Sequence, residues 1–129
     1  MEAETRLLEL AATLAALPPA GTVPAALRAL AAAYAPDAPL PRAMAQAWLG
    51  SRGDKTARLA LAWARERVRL TLEEILARAT ARGALPGSAE TRSWLILAAG
   101  EAIALEPTSA AADRLRALLE LSGYAADSA

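Results

Sequence analysis

Apolar side chains recur three and four positions apart along most of this chain, and polar side chains fill the positions between them. That spacing is typical of amphipathic α-helices, and no stretch shows the strict alternation of a half-buried β-strand. Proline and glycine lie in the gaps between the periodic segments. The pattern therefore predicts one all-α domain over residues 1–129, a six-helix bundle with helices at about residues 3–17, 23–34, 40–49, 55–82, 89–106 and 109–122.

Residues that favour helix ends stand at several of the predicted boundaries. Thr22, Asp54 and Ser88 each precede a periodic segment, where a side-chain oxygen can accept a hydrogen bond from a free backbone N–H. Gly83 and Gly123 follow the fourth and sixth segments, and glycine readily takes the left-handed conformation that closes a helix. These local signals support the boundaries that the periodicity predicts.

The fourth segment is the longest and carries apolar residues on two sides. One stripe consists of Leu61, Ala64, Val68, Leu72, Ile75 and Ala79. A second stripe, on nearly the opposite side, consists of Leu59, Trp63 and Leu70. A helix with two apolar sides is expected to lie between other helices.

Two arginines of the fourth segment, Arg65 and Arg69, lie beside the main stripe. In one interpretation their aliphatic stems cover the edge of the core while the charged heads reach water. In the other, the guanidinium groups border a cavity and bind a polar or anionic ligand. The sequence leaves both interpretations open.

The fifth segment is apolar on almost every side, through Trp94, Leu95, Ile96, Leu97, Ile103 and Leu105. Such a helix must be covered all round, and the five other helices leave part of it for a second subunit. One side collects mostly small residues, which let helix backbones approach closely: Ser93, Leu97, Gly100 and Ala104. Together with Leu115 and Leu118 of the sixth segment, that side predicts a homodimer with a four-helix interface. The alternative is that both helices complete the core of a monomer.

Charge and composition argue against several classes of function. Fourteen basic residues balance fourteen acidic ones, so no net field attracts nucleic acid or an anionic membrane. The chain has neither Cys nor His, which removes disulfides, thiol nucleophiles, the usual general base and the soft metal ligands. We therefore expect no enzyme, no catalytic residue, no metal site and no cofactor. The start of the chain is unlike a signal peptide and no apolar run is long enough to cross a bilayer, so a cytoplasmic location without membrane contact is expected.

The stretch "TLEEILARATARGALPGSAETRSWLILAAGEAIALEP", residues 71–107, resembles the C-terminal regulatory domain of TetR-family transcriptional regulators. In that family a long helix ends in a stretch similar to "ARGALP", and an apolar helix and a last amphipathic helix follow. Residues 71–121 carry most of the resemblance. It implies an all-α domain that dimerises through its last two long helices and encloses a pocket for a small, often apolar, effector.

TetR-family proteins also carry an N-terminal helix-turn-helix domain that binds DNA. The aromatic-rich turn of that domain contains Phe and His, and this chain has neither residue. We therefore expect no specific DNA binding by this chain alone.

The resemblance places the effector pocket among the helices that precede the dimer pair, against the inner face of the long helix. The residues expected to line it here are Tyr34, Met44, Trp48 and Trp63, with Arg65 and Arg69 at its rim. Rings packed among many alanines leave voids more readily than leucine and isoleucine do. The expected function is homodimerisation with binding of a small effector. The alternatives are that the rings close the core, and that the domain is a helical protein-interaction scaffold without a small ligand.

Overall fold

The computed structural model describes residues 1–79 and 87–124, and within these ranges the chain is α-helical. Its six α-helices are α1 (Glu2–Ala15), α2 (Thr22–Ala33), α3 (Pro39–Gly50), α4 (Lys55–Arg78), α5 (Ala89–Ala102) and α6 (Ala111–Leu121). Two short 3₁₀ turns, Ile103–Leu105 and Thr108–Ala110, connect α5 to α6. The all-α class and the six helices predicted from the sequence are confirmed for the described ranges.

Helix α4 lies at the centre of the bundle, with α1 packed along one side and α5 along another. Helix α3 packs on α1, α2 contacts α1, α4 and α5, and α6 covers α2. The main apolar stripe of α4 faces this core, where Leu61, Val68 and Leu72 are at most 2% exposed. Leucines of α1, α2 and α5 meet that stripe and form one apolar core with it.

Three of the predicted helix ends are confirmed by their hydrogen bonds or backbone geometry. The Asp54 carboxylate accepts a hydrogen bond from the backbone N–H of Ala57 at 3.0 Å, and the Ser88 hydroxyl accepts one from the N–H of Thr91 at 3.2 Å. Gly123 closes α6 with a φ of 87°, in the left-handed region that glycine adopts without strain. These caps satisfy backbone groups that a helix end otherwise leaves free.

The predicted cap at Thr22 is wrong. Gly21, with a φ of 67°, occupies the N-cap position of α2, and Thr22 is the first helical residue. The Thr22 hydroxyl donates to the backbone carbonyls of Pro18 and Pro19, so it serves the preceding turn instead of the helix. The predicted end of the fourth helix at residue 82 and its cap at Gly83 lie outside the described residues.

Within the described residues, the second apolar stripe of α4 remains largely exposed. Leu59 and Trp63 are 59% and 66% exposed, and Leu70 is 37% exposed. The neighbouring helices pack on the half of α4 that carries the main stripe, and none of them crosses the opposite side. The expectation that α4 lies between helices on both apolar sides is therefore wrong for the single chain.

Among the described residues, no helix combines the length and the apolar character needed to cross a membrane.

Candidate functional site

The stripe of small residues on α5 faces the interior of the chain. Ser93 and Leu97 have no exposed surface, and Gly100 is also buried. A Cβ atom added at Gly100 would lie 2.6 Å from Cδ2 of Leu30, which is closer than such atoms pack. The backbone of α5 therefore approaches α2 as closely as a glycine allows.

The residues predicted at the centre of the dimer interface contact their own chain, and the interface itself stays a prediction. Ser93, Leu97, Gly100 and Leu118 are buried within one chain, and Ala104 and Leu115 are half-buried. A small-residue stripe permits close helix packing, but its spacing is the same whether the neighbouring helix belongs to the same chain or to another. Here the neighbour is α2 of the same chain.

One ion pair and one side-chain hydrogen bond join α4 to α5. Arg65 donates to both carboxylate oxygens of Glu101, from Nε and from Nη2, each at 2.7 Å. Because Arg65 pairs with Glu101 while Arg69 reaches Ser93, residue numbers rise along α4 as they fall along α5, and the two helices are antiparallel. A two-pronged arginine–carboxylate pair is the strongest ordinary form of salt bridge, and it fixes the relative position of the two helices.

Arg69 is held by three neighbours. Its guanidinium donates to Glu66 from Nε at 2.8 Å, to Glu73 from Nη1 at 3.0 Å and to the hydroxyl of Ser93 at 3.0 Å. The arginine side chain is only 12% exposed. Arg65 and Arg69, both predicted at a pocket rim, thus form hydrogen bonds within the chain. These contacts favour the interpretation in which the two side chains cover the edge of the core over the one in which they bind an anion.

The same contacts shift the pKa values of Arg65 and Glu66. The hydrogen bond to Glu101 raises the pKa of Arg65, and the hydrogen bond from Arg69 lowers the pKa of Glu66. Burial raises the pKa of Tyr34, and the negative charge of Glu101 adds to that effect. The raised pKa of Arg65 and the lowered pKa of Glu66 keep both side chains charged at neutral pH, while the raised pKa of Tyr34 keeps its hydroxyl neutral.

The residues predicted to line an effector pocket do not converge. Tyr34 is buried in the core and Met44 is half-buried on α3. Trp48 and Trp63 are 52% and 66% exposed, so their rings face solvent and not an enclosed cavity. The structure does not assemble the predicted pocket, because the rings lie on the outer sides of α3 and α4 while alanine and leucine fill the inner sides.

An apolar surface covers the outer sides of α4 and α5. We define the outer face as Leu59, Trp63, Leu70, Trp94 and Leu105. Trp94 is 54% exposed and Leu105 is 89% exposed. All three tryptophans of the chain thus lie at the surface, and two of them belong to this face. Sequence periodicity indicated the α4 stripe, but nothing in it said that the stripe would remain uncovered.

Charged residues lie between the α4 part of the outer face and Trp94 of α5. Trp94 shares an open groove of about 520 Å³ with Glu66 and Arg69 of α4, and Glu90 of α5 also borders it. Since α4 and α5 are antiparallel, Trp94 lies near the level of Leu70, and Leu105 lies near the level of Leu59. The face therefore combines an apolar centre with charged residues along the helix junction.

A second concave feature lies at the far end of α4. We name it the α1–α2 cleft, a partly enclosed space of about 590 Å³ between the α1–α2 connection, the last turns of α4 and Tyr124. Leu17, Val23 and Ile75 form part of its apolar wall, and Thr71, Glu74 and Arg78 are among its polar residues. None of the residues predicted for a pocket borders it.

Comparison of this chain with models of protein families, with curated proteins and with solved structures finds no match in any of the three.

Proposed function

We propose that this chain is a helical protein-interaction domain that binds its partner through the outer face. The observation that carries the proposal is the exposure of Trp63 on α4 and of Trp94 on α5, the helix that packs against α4. The exposed fractions of the five side chains add up to an apolar area on the order of 600 Å², shared between α4 and the neighbouring α5 region. Large exposed apolar side chains that are grouped in this way favour a site of association.

The composition of the face supports protein recognition over other roles. Tryptophan is enriched at the centres of protein interfaces, where truncating one weakens binding by about 30-fold or more. Charged residues border the face through Arg65, Glu66 and Glu90, which resembles the polar rim around an apolar interface centre. We propose no DNA binding by this chain, whose formal net charge is zero.

Site-specific photocrosslinking in the cells that express the protein tests this function. A photoreactive phenylalanine analogue replaces Trp63 in one variant and Trp48 in the matched control, since both tryptophans are exposed but only Trp63 lies on the outer face. We expect one discrete crosslinked product from position 63 and no comparable product from position 48. Equal or diffuse crosslinking at both positions would contradict a specific interaction surface.

A second candidate function is small-effector binding, as in the regulatory domains that the sequence resembles. The α1–α2 cleft supports it, because its volume of about 590 Å³ and its mixed apolar and polar lining suit a small molecule. A panel of apolar ligands should then raise the melting temperature, by the equivalent of about 2.7 kcal/mol at a hundred times the Kd.

Filling the cleft provides the control for that candidate. Thr71→Trp places a ring in the cleft, whereas Thr13→Trp places one on an exposed position of α1. Ligand-induced stabilisation should disappear in the first variant and persist in the second. Persistence in both variants would locate the ligand elsewhere.

A further inference from the structure

We infer that the partner of the outer face is a second copy of this chain, bound with its α4 antiparallel to the first. The inference rests on the proposed function, since it names the occupant of the same surface. An interface between two identical chains must be complementary to itself under a two-fold rotation. The apolar spacing, the charges and the area of the outer face meet that condition.

The spacing of α4 fits a seam between two helices. Leu59, Trp63, Glu66 and Leu70 follow one another at intervals of four, three and four residues on the exposed side. This is the alternation with which two helices interlock along a common seam. The polar Glu66 interrupts the seam, and a single polar position in such a seam fixes register and orientation at some cost in stability.

An antiparallel pairing of two α4 helices matches these positions. When Leu59 of one copy lies opposite Leu70 of the other, Trp63 lies opposite Glu66. The indole N–H of tryptophan donates a hydrogen bond, and a carboxylate accepts one. The Glu66 side chain is 41% exposed although it pairs with Arg69, so a carboxylate oxygen remains accessible. Each half of the interface thus repeats the same donor and acceptor pair.

The charges at the two ends of α4 select this direction. Lys55 lies in the first turn and Glu74 near the last turn, both are exposed, and neither forms an ion pair within the described residues. The same antiparallel register brings Lys55 of each copy opposite Glu74 of the other. A parallel register would instead place lysine against lysine and glutamate against glutamate, which is unfavourable.

The area agrees with a dimer of ordinary size. Stable interfaces bury about 800 Å² on each partner, and roughly half or more of that area is apolar. Leu59, Trp63 and Leu70 offer apolar surface on the order of 300 Å², and the exposed polar residues beside them on α4 add to it. One copy can therefore cover the face of another without rearrangement of the core.

Light scattering coupled to gel filtration tests the assembly. Wild-type protein at about 100 µM should elute with twice the chain mass of 13.4 kDa. Trp63→Glu should yield a monomer with unchanged helical content, and Leu59→Glu should do the same, because both side chains are more than half exposed in the chain. Trp48→Glu should remain a dimer. A monomeric wild type, or a dimer lost in Trp48→Glu and kept in Trp63→Glu, overturns the inference.

Charge exchange tests the direction of pairing. Lys55→Glu should weaken the dimer by about tenfold, since two opposed charge pairs become repulsive, and adding Glu74→Lys should restore it. Lys55 is the only lysine of the chain, so a zero-length carbodiimide crosslink between copies should join Lys55 to Glu73 or Glu74. A dimer that the double variant fails to restore would overturn the antiparallel register.

The two proposals fail differently. A monomeric chain that still crosslinks from position 63 to another protein would refute the second copy and leave the interaction function standing. A monomeric chain without such a crosslink would refute both.

Discussion

The inward and outward faces of α5 are both largely apolar, yet they have opposite environments. Ser93, Leu97 and Gly100 point inward and are buried, whereas Trp94 and Leu95 point outward and are 54% and 37% exposed. Residue size alone does not separate the faces, since Leu97 is buried and Leu95 is partly exposed. The small Gly100 lets α5 approach α2 closely, and the large ring of Trp94 remains on the exposed side. An apolar helix surface is therefore not one kind of site, and its two sides should respond differently to substitution.

The largest expected difference is between Leu97, on the inward face of α5, and Leu105, in the 3₁₀ turn that follows α5. Leu97→Ala should lower the free energy of unfolding by about 3 kcal/mol, because it removes a fully buried side chain and leaves a cavity. Leu105→Ala should lower it by less than about 0.5 kcal/mol, because Leu105 is 89% exposed. Urea unfolding followed by circular dichroism measures both, at protein concentrations low enough for the chain to be monomeric. Equal effects would remove the distinction between the faces.

The close approach of Gly100 to Leu30 predicts a smaller effect, in which a glycine-to-alanine change within a helix destabilises the protein instead of stabilising it. Alanine normally stabilises a helix relative to glycine by about 1 kcal/mol, and Gly50→Ala should follow this rule, since a Cβ there meets no atom within 4 Å. Gly100→Ala should instead destabilise the protein by about 1–2 kcal/mol, because its Cβ would displace the buried Leu30. The melting temperatures of Gly50→Ala and Gly100→Ala, compared with that of the wild type, measure the two opposite effects. A stabilised Gly100→Ala variant would show that α2 yields easily.

The smallest effect concerns Tyr34, which lies near the Arg65–Glu101 pair at the inner edge of α5. Its hydroxyl forms no hydrogen bond with the described part of the chain, so Tyr34→Phe should change stability near pH 7 by less than about 1 kcal/mol. The folded-state pKa is raised above the ordinary value of 10.0, so the contribution of Tyr34 to stability is complete below pH 10 and is lost as pH rises further.

Unfolding of the wild type and of Tyr34→Phe between pH 8 and about pH 11 therefore shows whether the Tyr34 hydroxyl is shielded from solvent in the folded protein. The wild type should lose stability more steeply above pH 10, because the unfolded tyrosine ionises while the folded one does not. Parallel curves would indicate that the hydroxyl reaches solvent.

The sequence by itself determined the helices and the core side of α4. Asp54, Ser88 and Gly123 act within a few residues of their own positions, and the spacing of Leu61, Val68 and Leu72 defines one side of a helix without reference to any neighbour. The Thr22 hydroxyl could cap α2 or donate to a carbonyl of the preceding turn, and the sequence alone did not decide between these two contacts.

Only the tertiary structure decided which apolar sides meet other helices. Periodicity gives the angle of each side chain about its own helix axis, but not the direction in which the neighbouring helices lie. The contact of Gly100 with Leu30 and the pair between Arg65 and Glu101 join residues 70 and 36 positions apart, and no local signal specifies such pairings. For the same reason the sequence did not reveal that Trp63 of α4 and Trp94 of α5 would both remain exposed, which depends on how the helices pack.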